Sequence, residues 1–246
     1  MLKTTAIWVT ACVILCATWE YFGSHFVIVR LLISRPTLVF EYALRHSDTL
    51  LIATRYTLIE SLLGLAIAAA FSFGVMFLCF YFPKLLDLVL PVMVTSQVIP
   101  LITLAPLLIM LFGIGLQAKI MMAALLSFFP LFVYFAAGFK AIPASINELL
   151  YIYEAPTLFR IVRINIPMSL PSIMAGIKVS ATLSVMGAIV AEFNGADYGL
   201  GKNLFLAAKR LEPELMMVSI IITALMGGLL YQAVRMIERR IGEWYS

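Results

Sequence analysis

Charge is what this sequence has least of. Asp, Glu, Lys and Arg make up 12% of its 246 residues, and hydrophobic residues make up 63%; soluble domains carry about a quarter charged residues and under half apolar ones. With a mean hydropathy of +1.05, the chain has more apolar surface than a soluble core of this size needs, and the bilayer is its natural solvent. The net charge of +4 is small and scattered, which excludes a nucleic-acid patch. Cysteine and histidine are also scarce, at three and two residues. Cys12, Cys16 and Cys79 lie in apolar stretches and read as packing residues. His25 and His46 are far apart and have no ligand cluster around them. No metal motif or nucleophile elbow is present. The turns Gly113-Ile114-Gly115 and Gly199-Leu200-Gly201 lack the strand before and the helix after that a nucleotide site needs.

What the chain does have is long apolar segments. A bilayer span takes about 20 mostly apolar residues, and six such segments are expected: Ala6–Phe22, Thr57–Phe82, Leu88–Phe112, Lys119–Phe139, Ser172–Phe193 and Leu215–Ile237. The fold class expected is all-α, a polytopic membrane helical bundle. Between the first two spans, Ser34-Arg35-Pro36 marks a turn. The amphipathic stretch after it, with Leu38, Tyr42 and Arg45, is too polar to span and is expected at the membrane surface.

Lys and Arg in short loops set orientation. Arg235, Arg239 and Arg240 argue for a cytoplasmic C-terminus, Lys140, Arg160 and Arg163 put the fourth loop on the same side, and six spans then put Lys3 and the N-terminus there too. Arg30, Arg35, Arg45 and Arg55, with Lys202, Lys209 and Arg210, fall outside and oppose the rule.

The segment from Ala141 to Pro171 is long for a bundle connection and is patterned. Ser145-Ile146-Asn147-Glu148 fits a capping box opening a short helix to about Tyr153. Pro156 sits near the start of a second helical stretch, Thr157 to Asn165, in which Arg160 and Arg163 share a face. Pro167 and Pro171 are expected to end it. A helix–turn–helix outside the membrane, between two spans, offers a surface to a soluble partner.

This loop resembles the cytoplasmic motif of ATP-binding cassette importer permeases, Glu-Ala-Ala, then glycine, then Ile-x-Leu-Pro. Anchored on Ile164-Asn165-Ile166-Pro167, the motif puts Glu148-Leu149-Leu150 on Glu-Ala-Ala and Glu154 on the glycine, so the two alanines and the glycine are not kept. Ile166-Pro167-Met168-Ser169-Leu170-Pro171 resembles the nitrate, sulfonate and taurine branch. So do Ile99-Pro100, Ala105-Pro106-Leu107, Phe112-Gly113-Ile114-Gly115, Phe128-Phe129-Pro130, Ala175-Gly176-Ile177-Lys178, Ala191-Glu192, Gly199-Leu200-Gly201, Ile237-Glu238-Arg239-Arg240 and Trp244. The resemblance implies a single transmembrane permease domain over 1–246. Residues 1–56 would hold the first span and the outer amphipathic segment, 57–237 a five-helix importer core, and 238–246 a cytoplasmic tail. It implies a bacterial inner-membrane protein with both termini cytoplasmic, paired with a second copy of itself. Its partners would be a cytoplasmic ATPase dimer, which carries the ATP and Mg, and a periplasmic or lipid-anchored binding protein. This chain would hold no cofactor and perform no chemistry. The substrate would be a small solute such as a vitamin precursor, sulfonate, nitrate or taurine, and Ser96-Gln97-x-Ile99-Pro100 looks closer to the vitamin-precursor members.

In that reading Ser145, Glu148, Leu149, Leu150, Tyr153, Glu154, Ala155 and Pro156 form the coupling element, with Leu150 and Tyr153 as interface anchors. Glycine at 154 would take positive φ at no steric cost, whereas Glu is strained there; the turn is therefore expected to be built differently, shaped by Pro156, the alternative being modified coupling. Gln97, Pro100 and Pro106 make the third span irregular, and such breaks are tolerated only inside protein or beside a water-filled cavity. Lys178, inside hydrocarbon, either snorkels or lines the path; Ser180 and Thr182 are further pathway candidates. Glu192 reads as an interfacial structural residue. Two rivals stay open. An intramembrane enzyme would need Glu20, Glu60, Lys178 and Glu192 to converge, and an ion-coupled secondary transporter would need inverted repeats.

Overall fold

The computed structural model describes Thr10, Ile14 and residues 17–25, 33–96 and 100–242, and all regular structure among them is helical. In order the helices are α1 (Pro36–Arg45), α2 (Ser47–Tyr81), α3 (Pro83–Ser96), α4 (Ala105–Phe112), α5 (Leu116–Lys140), α6 (Ala144–Ile152), α7 (Thr157–Phe193), α8 (Leu200–Arg210) and α9 (Pro213–Gly242). Four of these, α2, α5, α7 and α9, are long and apolar enough to cross a membrane, and the chain is an all-α, multi-pass membrane bundle.

Helix α2 carries its most polar stripe inward. Thr57, Glu60, Ser61, Gly64, Ala68, Ser72, Met76 and Cys79 are buried, while Leu62, Leu63, Ile67, Phe71, Phe77 and Leu78 are exposed. The spacing is helical, but the sense is that of a membrane helix, in which small and polar residues make the protein contact and large apolar ones face lipid. The central pair, α5 and α7, is closed the same way. Ser127 Oγ donates to the Ser180 carbonyl at 3.0 Å and Ser180 Oγ returns a bond to the Ser127 carbonyl at 2.8 Å. Ser172 Oγ donates to the Tyr134 carbonyl at 2.8 Å. A Cβ on Gly187 would stand 2.7 Å from Ala123 Cα, so the backbones touch there. Phe128, Leu131, Phe132 and Phe135 of α5 fill the core against Ala68, Met76 and Cys79 of α2 and Ile173 of α7.

The expected spans need two corrections. Leu88–Phe112 is not one helix: α3, with Pro91 inside it, is described to Ser96, Pro100 is extended, and a 3-10 turn, Leu101–Leu104, leads into the short α4. Pro167 and Pro171 do not end the stretch before the fifth span. Helix α7 runs through both, its register loosened by a π-helical segment, Arg160–Asn165, that ends two residues before Pro167. Proline is tolerated in the first turn of the resumed α-helix, where its missing N–H has no intrahelical acceptor to lose, and the wider π turn precedes it. The expected first span, Ala6–Phe22, falls largely outside the described residues, as do Cys12, Cys16 and Lys3; residues 17–25 are helical.

The amphipathic stretch after Pro36 is α1. Its first turn is capped from a distance by Glu20, which accepts from Thr37 N at 3.2 Å and Thr37 Oγ1 at 2.9 Å. Ser34 Oγ donates to Glu214 at 2.8 Å, fastening this segment to the start of α9. The two ends of the bundle, marked by Thr57 and Cys79, lie about 33 Å apart along α2. That matches the roughly 30 Å hydrocarbon thickness of a bilayer.

Candidate functional site

One end of the bundle carries an elbow made of α6 and the start of α7. Helix α6 begins one residue before the expected cap. Pro143 is its N-cap, no side chain caps it, and Ser145 and Glu148 stand exposed in its first turns, so the capping box does not form. Its other end is closed entirely by backbone. Ala155 N donates to the Leu150 carbonyl at 3.1 Å and Glu154 N to the Tyr151 carbonyl at 3.0 Å, the paired bonds of a Schellman turn. That turn requires a left-handed residue, and Glu154 provides it with φ +47°. The expectation of a differently built turn is therefore overturned: the glutamate takes the conformation a glycine would take. Pro156, extended, then caps α7.

The elbow is apolar where nothing covers it among the described residues. Leu149, Tyr151, Ile152 and Tyr153 are exposed, the last three by 75–79%. Leu150 is not among them. It is 8% exposed and faces the bundle, so it supports the elbow and is not a surface anchor. At the base of the elbow lies a cleft of about 170 Å³ lined by Cys79, Lys140, Asn147 and Asn165 among others.

The candidate pathway residues do not come together. Ser180 is sealed in the α5–α7 seam and faces no path. Thr182 is exposed on α7, its hydroxyl donating to the Val179 carbonyl. Pro100 and Pro106 are exposed around the broken third span, and Gln97 lies outside the described residues. Lys178 has a partner that sequence reading did not name: its ammonium pairs with both oxygens of Glu238 on α9, at 2.8 and 2.7 Å. The pair, partly buried, fastens α7 to α9, and in an apolar surrounding either charge alone is costly.

The opposite end holds a cluster that sequence reasoning did not assemble. Glu192, read as interfacial, is 1% exposed. Its carboxyl accepts from Thr57 Oγ1 of α2 at 2.6 Å and from Gly201 N in the first turn of α8 at 2.6 Å. Thr57 Oγ1 in turn accepts from Leu200 N at 2.9 Å. Beside it lie Glu60, fully buried, and Lys119, 7% exposed, with Lys119 Nζ 3.4 Å from Glu60 Oε1. Of the four residues that an intramembrane enzyme would need together, only Glu60 and Glu192 meet; Glu20 and Lys178 are committed elsewhere. The signal for this cluster was the polar stripe of α2 at helical spacing. Both glycine turns are followed by a helix, contrary to expectation, and no strand precedes either among the described residues.

Residues 63–243 match the family described as the binding-protein-dependent transport system inner membrane component. A probable ABC transporter permease protein of Haemophilus influenzae is 29% identical over 196 residues, covering 80% of this chain and 80% of its own. The formylaminopyrimidine transport permease protein of Halalkalibacterium halodurans is 31% identical over 182 residues, 74% of this chain and 73% of its own. A putative aliphatic sulfonates transport permease protein of Bacillus subtilis is 27% identical over 234 residues, 94% of this chain and 84% of its own. Taken with an all-helical membrane bundle that presents an apolar elbow at one end, the match over most of its length means that the chain belongs to the ABC-transporter permease family of binding-protein-dependent transport systems.

Proposed function

We propose that this chain is the translocation subunit of an importer of the inner membrane, working as a pair of identical copies. In this reading the elbow docks on a separate cytoplasmic ATPase, which holds the nucleotide and Mg, and a binding protein delivers substrate to the opposite end. Both termini are then cytoplasmic, and residues 1–246 act as one permease domain. The chain itself performs no chemistry; partners shift the population of two bundle packings. The substrate is a small solute of the kind named for its relatives, formylaminopyrimidine or aliphatic sulfonates.

The observation that carries the reading is the exposed row Tyr151, Ile152 and Tyr153. A capped helix projecting beyond the spans has no reason to expose two tyrosines and an isoleucine to water, and such patches mark partner surfaces. Ser145, Glu148, Leu149, Glu154, Ala155 and Pro156 shape the same element, with Leu150 beneath it. Tyr151→Ala or Tyr153→Ala is expected to weaken association with the ATPase by about 1–2 kcal/mol each if they are anchors, with membrane insertion unchanged. The measurement is co-purification and substrate-stimulated ATP hydrolysis of the reconstituted complex. Full coupling in the Tyr151→Ala, Tyr153→Ala double variant would remove the elbow from this role.

A further inference from the structure

The face of α2 turned away from the bundle changes character near the α8 end. Through the hydrocarbon it exposes Leu62, Leu63, Ile67 and Phe71. Toward α8 the same stripe continues as Ile59, Tyr56, Arg55 and Ile52, at the three- and four-residue spacing of one helix face. These four, with Tyr198 from the turn before α8, line an open cavity of about 480 Å³. Small-ligand sites run from roughly 300 to 1,000 Å³. Arg55 and Tyr56 lie just beyond Thr57, where the span ends. The cavity is therefore at headgroup depth, and its apolar wall is continuous with the lipid-facing stripe.

Its polar part is an aromatic pair with cations beside it. The Tyr56 and Tyr198 rings stack, with centroids 5.0 Å apart and planes at 13°, and so join α2 to the turn that leads into α8. Lys202 Nζ lies 5.7 Å from the centroid of the Tyr198 ring and donates to the Asp197 carbonyl. Among the described residues no carboxylate lies within ion-pair distance of Arg55 or Lys202. Asp48 and Asp197 are exposed, and Glu60 is buried beside Lys119. A guanidinium at the edge of hydrocarbon needs an oxyanion or water, and its planar fork matches phosphate. Tyrosine belongs at the same depth, with its ring in the apolar layer and its hydroxyl in the polar one.

We propose that this cavity binds the phosphate headgroup of an anionic phospholipid, with Arg55 as the phosphate ligand and an acyl chain lying along Ile59, Leu62, Leu63 and Ile67. The stripe below the cavity commits the site to a lipid: a free oxyanion has no use for an apolar wall that continues into the span. The bound lipid braces the Tyr56–Tyr198 stack and so steadies the turn into α8. The site requires only a membrane bundle. The leaflet that supplies the lipid follows from the orientation in the proposed function.

The test is photo-crosslinking in nanodiscs of equimolar phosphatidylglycerol and phosphatidylcholine. Benzoylphenylalanine in place of Leu62, one turn below the cavity, captures the adjacent chain, and mass spectrometry identifies the adduct. The same probe in place of Phe71, farther along the stripe, is the control. Phosphatidylglycerol adducts at position 62 are expected to exceed phosphatidylcholine adducts by about fivefold, the scale of one basic residue's attraction to anionic lipid. Position 71 should show no preference. Arg55→Gln should abolish the enrichment, Arg55→Lys should keep part of it, and Tyr198→Ala should reduce it. Arg55 is exposed and outside the packed seams, so these variants should elute as folded protein. Equal adducts in the wild type, or an enrichment that survives Arg55→Gln, would overturn the proposal. Loss of the enrichment on adding millimolar inorganic phosphate would assign the site to a free oxyanion and overturn the lipid. Adducts to a second copy of the chain in place of lipid would show the face to be covered by protein, which also overturns it.

Discussion

At position 154 a glutamate holds a backbone conformation that costs an L-residue about 1–2 kcal/mol. It is kept because the Schellman bonds of Glu154 and Ala155 to Tyr151 and Leu150 close α6 and no side-chain cap closes its other end. The cost is local, so glycine removes it without disturbing the turn. Glu154→Gly is expected to raise the stability of the purified chain by up to about 1 kcal/mol, read as a higher unfolding temperature in detergent. A lower one would mean that the Glu154 side chain makes a contact worth more than the strain. The position shows what residue-level reading can and cannot do. The sequence pattern marked 154 as the turn residue, but the preference of Glu for negative φ pointed to a different turn. The hydrogen bonds of its neighbours overrode that preference. The same holds for Ser145 and Glu148, which fit a capping pattern. The helix starts at Ala144 behind Pro143, which places Ser145 inside the first turn, where it has nothing to cap.

At the scale of the element, contacts between helices here are made by small and polar groups. Interhelical hydrogen bonds in membranes are worth on average about 0.6 kcal/mol each. The reciprocal Ser127–Ser180 bonds therefore hold register more than they hold the bundle together. Ser127→Ala with Ser180→Ala should cost only about 1 kcal/mol in unfolding measurements. Gly187→Leu, by contrast, forces a side chain into the Ala123 backbone and is expected to abolish the folded bundle, seen as aggregation in size-exclusion chromatography. A larger loss from the serine pair than from Gly187→Leu would show that polarity, not close approach, closes the seam. The long helices were legible because hydropathy over a window finds spans whatever they pack against. The irregularity of the third span was legible from Pro100 and Pro106, but its division into separate helices was not, since the windows on either side of Pro91, Pro100 and Pro106 are equally apolar. The continuity of α7 was hidden for the opposite reason. Pro167 reads as a stop, but a π-helical turn ahead of it lets the chain pass. Nor does hydropathy say which face of α2 turns inward. Its buried Thr57, Glu60 and Ser61 belong to a stripe that in a soluble helix would face water.

For the whole molecule, the remaining question is which end faces which compartment. Basic residues occupy both ends. Lys84, Lys140, Arg160, Arg163, Arg239 and Arg240 lie toward the elbow, and Arg45, Arg55, Lys202, Lys209 and Arg210 lie toward α8. Several of the latter have local partners: Arg45 pairs with Glu41 at 2.5 Å, Arg210 lies 3.9 Å from Glu212, and Lys202 donates to the Asp197 carbonyl and lies over the Tyr198 ring. Acidic neighbours do not cancel the positive-inside bias, which counts basic residues alone, so charge does not decide orientation for this chain. The surfaces do. The elbow end exposes a tyrosine-rich apolar helix, suited to docking a protein. The α8 end is closed over the buried Glu192 carboxyl, and in the proposed function it is the end to which solute is delivered. Single cysteines at Asn147 in α6 and Asp197 before α8, both exposed, test this in a chain without Cys12, Cys16 and Cys79. A membrane-impermeant maleimide added to intact cells should label position 197 and spare 147, with the pattern reversed in inside-out vesicles. Labelling of position 147 from outside intact cells would turn the bundle over, moving the elbow away from any cytoplasmic ATPase and the α8 end away from the delivered solute.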